Sequence, residues 1–345
     1  MHMADALISP KVGAALWTVT AGLIAYSSKK VQKDADNRKV PLMGVLGAFI
    51  FAAQRINFSI PGTGSSGHLG GGMILAILLG PCAAFLVMAS VLIVQALFFG
   101  DGGILALGCN IFNLGFFSCF VAYPLIYRKI LGNKPASGKI VTGSLLAAII
   151  GLQLGAFGVV LETVFSGITA LPFKSFLFLM QPIHLAIGIV EGMVTAAVVM
   201  FVYNARPEIL NTENNLKRIR TIDLKKVLIG FMLAAIITGT ALSWFASARP
   251  DGLEWAMFKT SGQEELETDK KLHASLAALQ AKTAFLPDYG FKKTGSESEP
   301  VSEPQPAWPS VDLGTSVSGL VGGSLTFLII FLIGLGMRRK EVSAQ

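Results

Sequence analysis

Residues 82–99 read CAAFLVMASVLIVQALFF, a run without Lys, Arg, Asp or Glu, bounded by Gly80-Pro81 before it and Gly100 after it. About 20 predominantly apolar residues carry a helix across the hydrocarbon core of a bilayer, so this run predicts a membrane span. Gly and Pro stand where they punctuate such a helix rather than interrupt it. Similar runs lie at 12–28, 40–53, 104–127, 140–160, 183–204, 227–247 and 315–337, the second of them short. A shorter run, 69–80, stops at Gly80-Pro81. With it counted, as a short or broken crossing, the chain has about seven spans in front and two behind. Composition agrees: of 345 residues, 52% are hydrophobic and 14% charged, with a mean hydropathy of +0.62. Soluble domains carry about 25% charged residues. Three cysteines exclude a disulfide scaffold, and the apolar content excludes a disordered chain. The predicted class is an all-α, polytopic membrane protein.

The net charge of +7 would suggest nucleic acid in a soluble protein, but its distribution follows the membrane instead. Lys29, Lys30, Lys33, Arg38 and Lys39 follow the first span, and Arg128, Lys129, Lys134 and Lys139 follow the fifth. Arg206, Lys217, Arg218, Arg220, Lys225 and Lys226 follow the seventh, and Arg338, Arg339 and Lys340 the last. The short segments opposite hold only Lys11, Arg55 and Lys174. Cations gather on the cytoplasmic side, which predicts a cell-membrane protein with its N-terminus outside and its C-terminus inside, provided that 69–80 crosses. The first ten residues hold no Lys or Arg, so the positive region of a cleaved leader is missing.

The basic stretch after 205 divides the chain into 1–205 and 206–345. The second part holds a polar loop, 248–314, on the outer side; long loops translocate largely regardless of charge. Within it, Leu266, Leu272, Leu276 and Leu279 give 263–282 a helical spacing suited to packing on the membrane portion, and 294–310 reads as a Pro/Ser/Glu-rich linker.

Four histidines are present: His2, His68, His184 and His273. A free amine on Met1 followed by His2 offers the α-amine, the His2 amide and the His2 Nδ1 to one ion, closing a five-membered and then a six-membered ring. Those rings force a planar arrangement of nitrogens, the geometry that Ni²⁺ and Cu²⁺ favour, and leave one corner open. His68, in the glycine-rich stretch NFSIPGTGSSGHLGGG (57–72), falls on the same side of the membrane and can fill it. The competing reading is a disordered terminal His2 and a His68 that merely ends a flexible loop. His184 and Glu191 are seven apart and share a helix face within a span, where ionisable groups are functional suspects; packing or support of a site suits them better than ligation. Asp101 and Glu162 fall near span ends, where solvation accounts for them, and His273 reads as a surface residue. The stretch GNKPASGK (132–139) lacks the spacing and the Ser/Thr of a phosphate-binding loop. Neither HExxH nor zinc-type Cys/His spacing occurs, and there is no nucleophile–base set, so the chain reads as a non-enzyme that does not itself hydrolyse ATP.

With these residues the sequence resembles the CbiM/NikM family, substrate-specific components of energy-coupling-factor importers for nickel or cobalt. The resemblance lies in Met1-His2, the SGHLGGG stretch with His68, GDGGILALGCNIFNLG at 100–115 and PIHLAIGIVEG at 182–192, and covers about 1–205. The start departs from the family's MHIPDG at Met3, Ala4 and Ala6, which alters the turn, while His2 and Asp5 are kept. Residues 206–345 resemble the fused NikN-like or PDGLE part, with PDGLEW at 250–255 and PDYGF at 287–291. The resemblance implies a square-planar metal held by Met1, His2 and His68, with Asp101, Asn110 and Asn113 as outer support. It also implies a T-type membrane partner and two cytoplasmic ATPase subunits, with Ala21 and Ala25 on the first span as a small-residue face for the partner. The resulting expectation is a subunit that captures Ni²⁺ from outside. Co²⁺ is the alternative substrate. A channel or secondary transporter is a further alternative, although it fits internal repeats that the chain does not display.

Overall fold

The structure is a computed structural model that describes residues 2–34, 39–133, 135–169, 171–205, 221–263, 271–292 and 308–337. The run 82–99 forms one helix, α4 (Pro81–Phe99; labels here follow chain order). Gly80 turns the chain at φ 82°, and Pro81 takes the first helical position, where its missing N–H is no loss. Before it come α1 (Pro10–Asp34), α2 (Lys39–Gln54), a two-stranded hairpin of β1 (Phe58–Ser59) with β2 (Ser66–Gly67), and α3 (Gly72–Leu79). After it come α5 (Leu107–Leu131, π-helical over Phe112–Tyr127), α6 (Ser137–Ser166) and α7 (Phe173–Ala205). The back part supplies α8 (Thr221–Gly239), α9 (Gly252–Ser261), α10 (Lys271–Thr283) and α11 (Leu313–Gly336).

Among the described residues five helices are long and apolar enough to cross a membrane: α4, α5, α6, α7 and α11, with the end of α2 apolar but shorter. The run 69–80 yields only α3, eight residues that are all buried. At 1.5 Å per residue it reaches about 12 Å, well short of the roughly 30 Å hydrocarbon core. The segment 227–247 breaks off at Gly239 before a short 3-10 turn, Leu242–Phe245. The boundary read at 205/206 falls at the end of α7, and the basic stretch 206–220 and most of the 294–310 linker lie outside the described residues.

Close helix contacts use small residues, as membrane packing without a hydrophobic driving force requires. A Cβ on Gly192 of α7 would stand 2.7 Å from Leu145 Cα on α6. Gly319 of α11 meets Gly239 of α8 backbone to backbone, and Gly322 lies under the Phe51 ring of α2. The back part therefore docks on α2. Its helix α10 lies over the N-terminal arm, where His273 Nε2 is 3.0 Å from Ile8 O and Gln280 Nε2 donates to Ala96 O and Gly102 O.

Candidate metal centre

The N-terminal arm is tied to α5. Met3 N donates to Asn110 Oδ1 at 2.8 Å and Asn110 Nδ2 returns a bond to Met3 O at 3.2 Å. Gly103 N also donates to Met3 O, and Asp5 caps the next turn by accepting from Ala106 N at 3.0 Å. Asn110 thus pairs with the backbone just after His2, which fixes where that ring can point. Met1 lies outside the described residues.

His68 follows the hairpin directly. Glu191 of α7 accepts from Gly70 N at 2.7 Å and Gly71 N at 3.1 Å, while Gln54 Nε2 donates to Gly70 O at 2.7 Å. A carboxylate accepting backbone N–H groups makes charge-assisted bonds, stronger than neutral ones. Gly71 sits at φ 76°, a left-handed conformation closed to most residues. Two buried side chains from different helices therefore hold the loop behind His68.

These two anchors bring the imidazoles together. The rings of His2 and His68 stack with centroids 5.0 Å apart and planes 14° from parallel. Two imidazoles on one ion, each with a metal–nitrogen bond of about 2 Å, show centroids roughly 4–6 Å apart. Each side chain is only 8% exposed, and burial pushes both imidazoles down to about 3, so both are neutral at ordinary pH. His68 Nδ1 lies 3.1 Å from Leu69 O; in the tautomer that makes this bond, Nε2 carries the lone pair. His2 Nε2 is buried without a hydrogen-bond partner. His2 Nδ1, the nitrogen that the chelate needs, faces Asp101 Oδ1 at 3.3 Å, so ligation through it requires that contact to open. Tyr289 OH donates to Asp101 Oδ2 at 2.5 Å, and burial raises the Asp101 carboxyl above the usual carboxylate range.

A cavity of about 680 Å³ opens beside the two rings, with Asp5, Asp101, Asp251, Glu254 and Asp288 on its wall and Arg55 as a cation. Burial, helped by the neighbouring Asp251, raises Glu254 to about 7. A wall of carboxylates concentrates cations at its mouth.

Other expected residues stand elsewhere. Asn113 donates to Glu162 Oε2 at 2.7 Å. Glu162 is buried rather than solvated, because α6 turns it into the bundle against α5. His184 is buried, with Nδ1 2.7 Å from Met180 O and Nε2 unpartnered beside a small cavity that His68 also lines. His273, expected at the surface, is buried because α10 lies on the N-terminal arm. Ala21 and Ala25 are exposed on α1. Sequence reasoning missed Asp251 as a member of this site; the Asp251-x-x-Glu254 spacing announces a helix cap but not what faces it.

Comparison with known proteins adds family evidence. The family described as "cobalt uptake substrate-specific transmembrane region", CbiM, matches residues 2–209, and the PDGLE domain matches 225–339. A putative metal transport protein of Haloquadratum walsbyi is 35% identical over 62% of this chain and 94% of its own length. A putative fused nickel transport protein NikMN of Archaeoglobus fulgidus is 36% identical over 61% of this chain and 68% of its own. A crystal structure of a transition metal transporter superposes with a TM-score of 0.54 at 30% identity, covering 63% of this chain and 100% of that one.

Proposed function

Since the chain belongs to the CbiM family of cobalt-uptake substrate-specific transmembrane proteins, we propose that it captures Ni²⁺ from the outer side for import driven by ATP-hydrolysing partner subunits. The observation that carries this reading is the stacking of His2 on His68, both buried and both neutral, beside an acidic cavity. Neutral imidazole is the ligating form. The α-amine of Met1, the ionised amide and Nδ1 of His2, and Nε2 of His68 make a square plane. Residues 1–205 form the capturing unit in this reading, and 206–345 the fused part that covers it.

Asn110 sets the arm and Glu191 sets the loop, so both orient the ligands from outside the coordination sphere. This reading takes 69–80 as a broken crossing, which puts the N-terminus outside the membrane and the C-terminus inside. A T-type membrane partner, reached through the exposed face of α1 with Ala21 and Ala25, and two cytoplasmic ATPase subunits drive reorientation and inward release. The chain is a transport subunit and performs no catalysis. Ni²⁺ precedes Co²⁺ in affinity for nitrogen sites, and fused nickel transporters stand among the relatives; the cobalt-uptake family description favours Co²⁺ as the second reading.

Uptake into vesicles tests the reading. Radiolabelled Ni²⁺ should accumulate only with the partner ATPases and ATP present, and more readily than Co²⁺ at equal concentration. Full uptake by this chain alone would make it a channel or an ion-coupled carrier instead.

A further inference from the structure

We propose that Asp251, contributed by the C-terminal part of the chain, is a metal-facing residue of the two-histidine site: its carboxylate stands as a counter-charge within reach of the bound ion and slows its escape. The inference rests on the two-histidine reading above. Asp251 Oδ2 lies 3.9 Å from His68 Nε2, the nitrogen that carries the lone pair when Nδ1 bonds Leu69 O. With a metal–nitrogen bond of about 2 Å, an ion on Nε2 stands within about 6 Å of Oδ2, close enough for the carboxylate to act as a counter-charge without being a ligand. The Asp251 side chain is 15% exposed, so its charge acts where solvent screens little.

The carboxylate is held in this orientation. Its Oδ1 accepts from Leu253 N at 2.7 Å and Glu254 N at 2.9 Å, and Glu254 Oε2 accepts from Asp251 N at 2.9 Å, a reciprocal cap on α9. With Oδ1 engaged in the cap, Oδ2 is the oxygen turned to His68. The turn that bears it is strapped to the hairpin that bears His68. Ser66 N donates to Pro250 O at 2.8 Å and Ser66 Oγ to Arg249 O at 2.7 Å, while Trp255 Nε1 donates to Thr63 O at 3.0 Å. A Cβ on Gly252 would stand 2.6 Å from Ile183 Cγ2, so the turn is seated tightly on α7. His68, Asp251 and His184 enclose a cavity of about 10 Å³, with the buried, unpartnered Nε2 of His184 on its wall. That is about the room of one water-sized particle.

A divalent ion held by neutral imidazoles, a neutral amine and one ionised amide keeps net positive charge in a buried place. The interaction of such a charge with a carboxylate a few ångströms away is strengthened by the low dielectric. Asp101 is differently employed, with one oxygen bonded to Tyr289 and the other facing His2.

The test is the rate at which Ni²⁺ leaves the full chain, purified in detergent with its native N-terminus, when excess chelator is added. Asp251→Asn and Asp251→Ser both retain a good helix cap and remove the charge. Each should release Ni²⁺ at least tenfold faster and bind it correspondingly more weakly, with the apo melting temperature unchanged. Release and affinity within twofold of the parent in both variants would overturn the proposal. So would faster release accompanied by a lowered apo melting temperature in both, which would make Asp251 a fold residue only. His68→Ala separates the two claims: if it binds Ni²⁺ like the parent, the two-histidine reading itself has failed, whereas loss of binding there with unaltered Asp251 variants sinks this proposal alone.

Discussion

Acidification counts the protons that Ni²⁺ displaces. Burial holds His2 and His68 at about 3, against 6.5 for a free imidazole. Both folded values are depressed, so between pH 7 and about 4.5 neither ring carries a proton for the ion to expel. The α-amine, with an ordinary pKa of about 7.7–8, and the His2 amide each give up one. Two protons per ion make log affinity rise with pH at a slope of about 2, so each unit of acidification weakens binding about a hundredfold, or about 2.7 kcal/mol. Imidazoles with their ordinary pKa of about 6.5 would each add nearly one proton at pH 5.5, giving a count near four. Calorimetric titration of Ni²⁺ at pH 5.5, in buffers of different ionisation enthalpy, reads the count directly. A value near two is expected. A value near four would refute the burial argument, and a value near zero would refute ligation by amine and amide.

Other expectations follow from the same contacts. A residue added before Met1, or acetylation of its amine, should abolish Ni²⁺ binding and leave the circular dichroism spectrum and melting temperature unchanged. Asn110→Ala removes both bonds to Met3 and should weaken Ni²⁺ binding by about 10- to 100-fold, the usual cost of losing an orienting partner, measurable by calorimetry. In Gly319→Ala the new Cβ would lie 1.9 Å from Gly239 O, forcing α8 and α11 apart; overpacking of this kind costs about 1–3 kcal/mol and should lower the melting temperature.

Much of the bundle was legible because charge-free runs and Gly-Pro punctuation report directly on helices in a membrane. The run 82–99 became α4 with its Pro81 in the first helical position, and the all-α class followed from such runs. The run 69–80 gave only a short buried helix, since hydropathy does not distinguish a span from a helix enclosed by protein. The residues alone left two readings of His2 and His68 open, a shared metal site or a disordered terminus and a flexible loop, and the family resemblance implied the first; the two rings stand 5.0 Å apart. Helical spacing predicted that 263–282 packs on the membrane portion; the described part, α10, does so through His273 and Gln280. What the sequence could not reveal is where a distant segment lands. Asp251 lies 183 positions from His68 along the chain, and its cap motif reads the same whether or not an imidazole faces it. His273 and Glu162 read as solvated because a polar loop and a span end are usually wet; here the N-terminal arm covers the one and α5 the other. Asn113 shares its stretch with Asn110, yet it serves Glu162 while Asn110 serves the N-terminal arm.

Titration of Ni²⁺ into the purified chain with its native N-terminus, alongside His2→Ala and His68→Ala, tests the two-histidine site most directly. One ion per chain with submicromolar affinity, lost in both variants while their melting temperatures hold, is the expected result. Equal binding by the parent and both variants would contradict the account and move the search to His184 and Glu191.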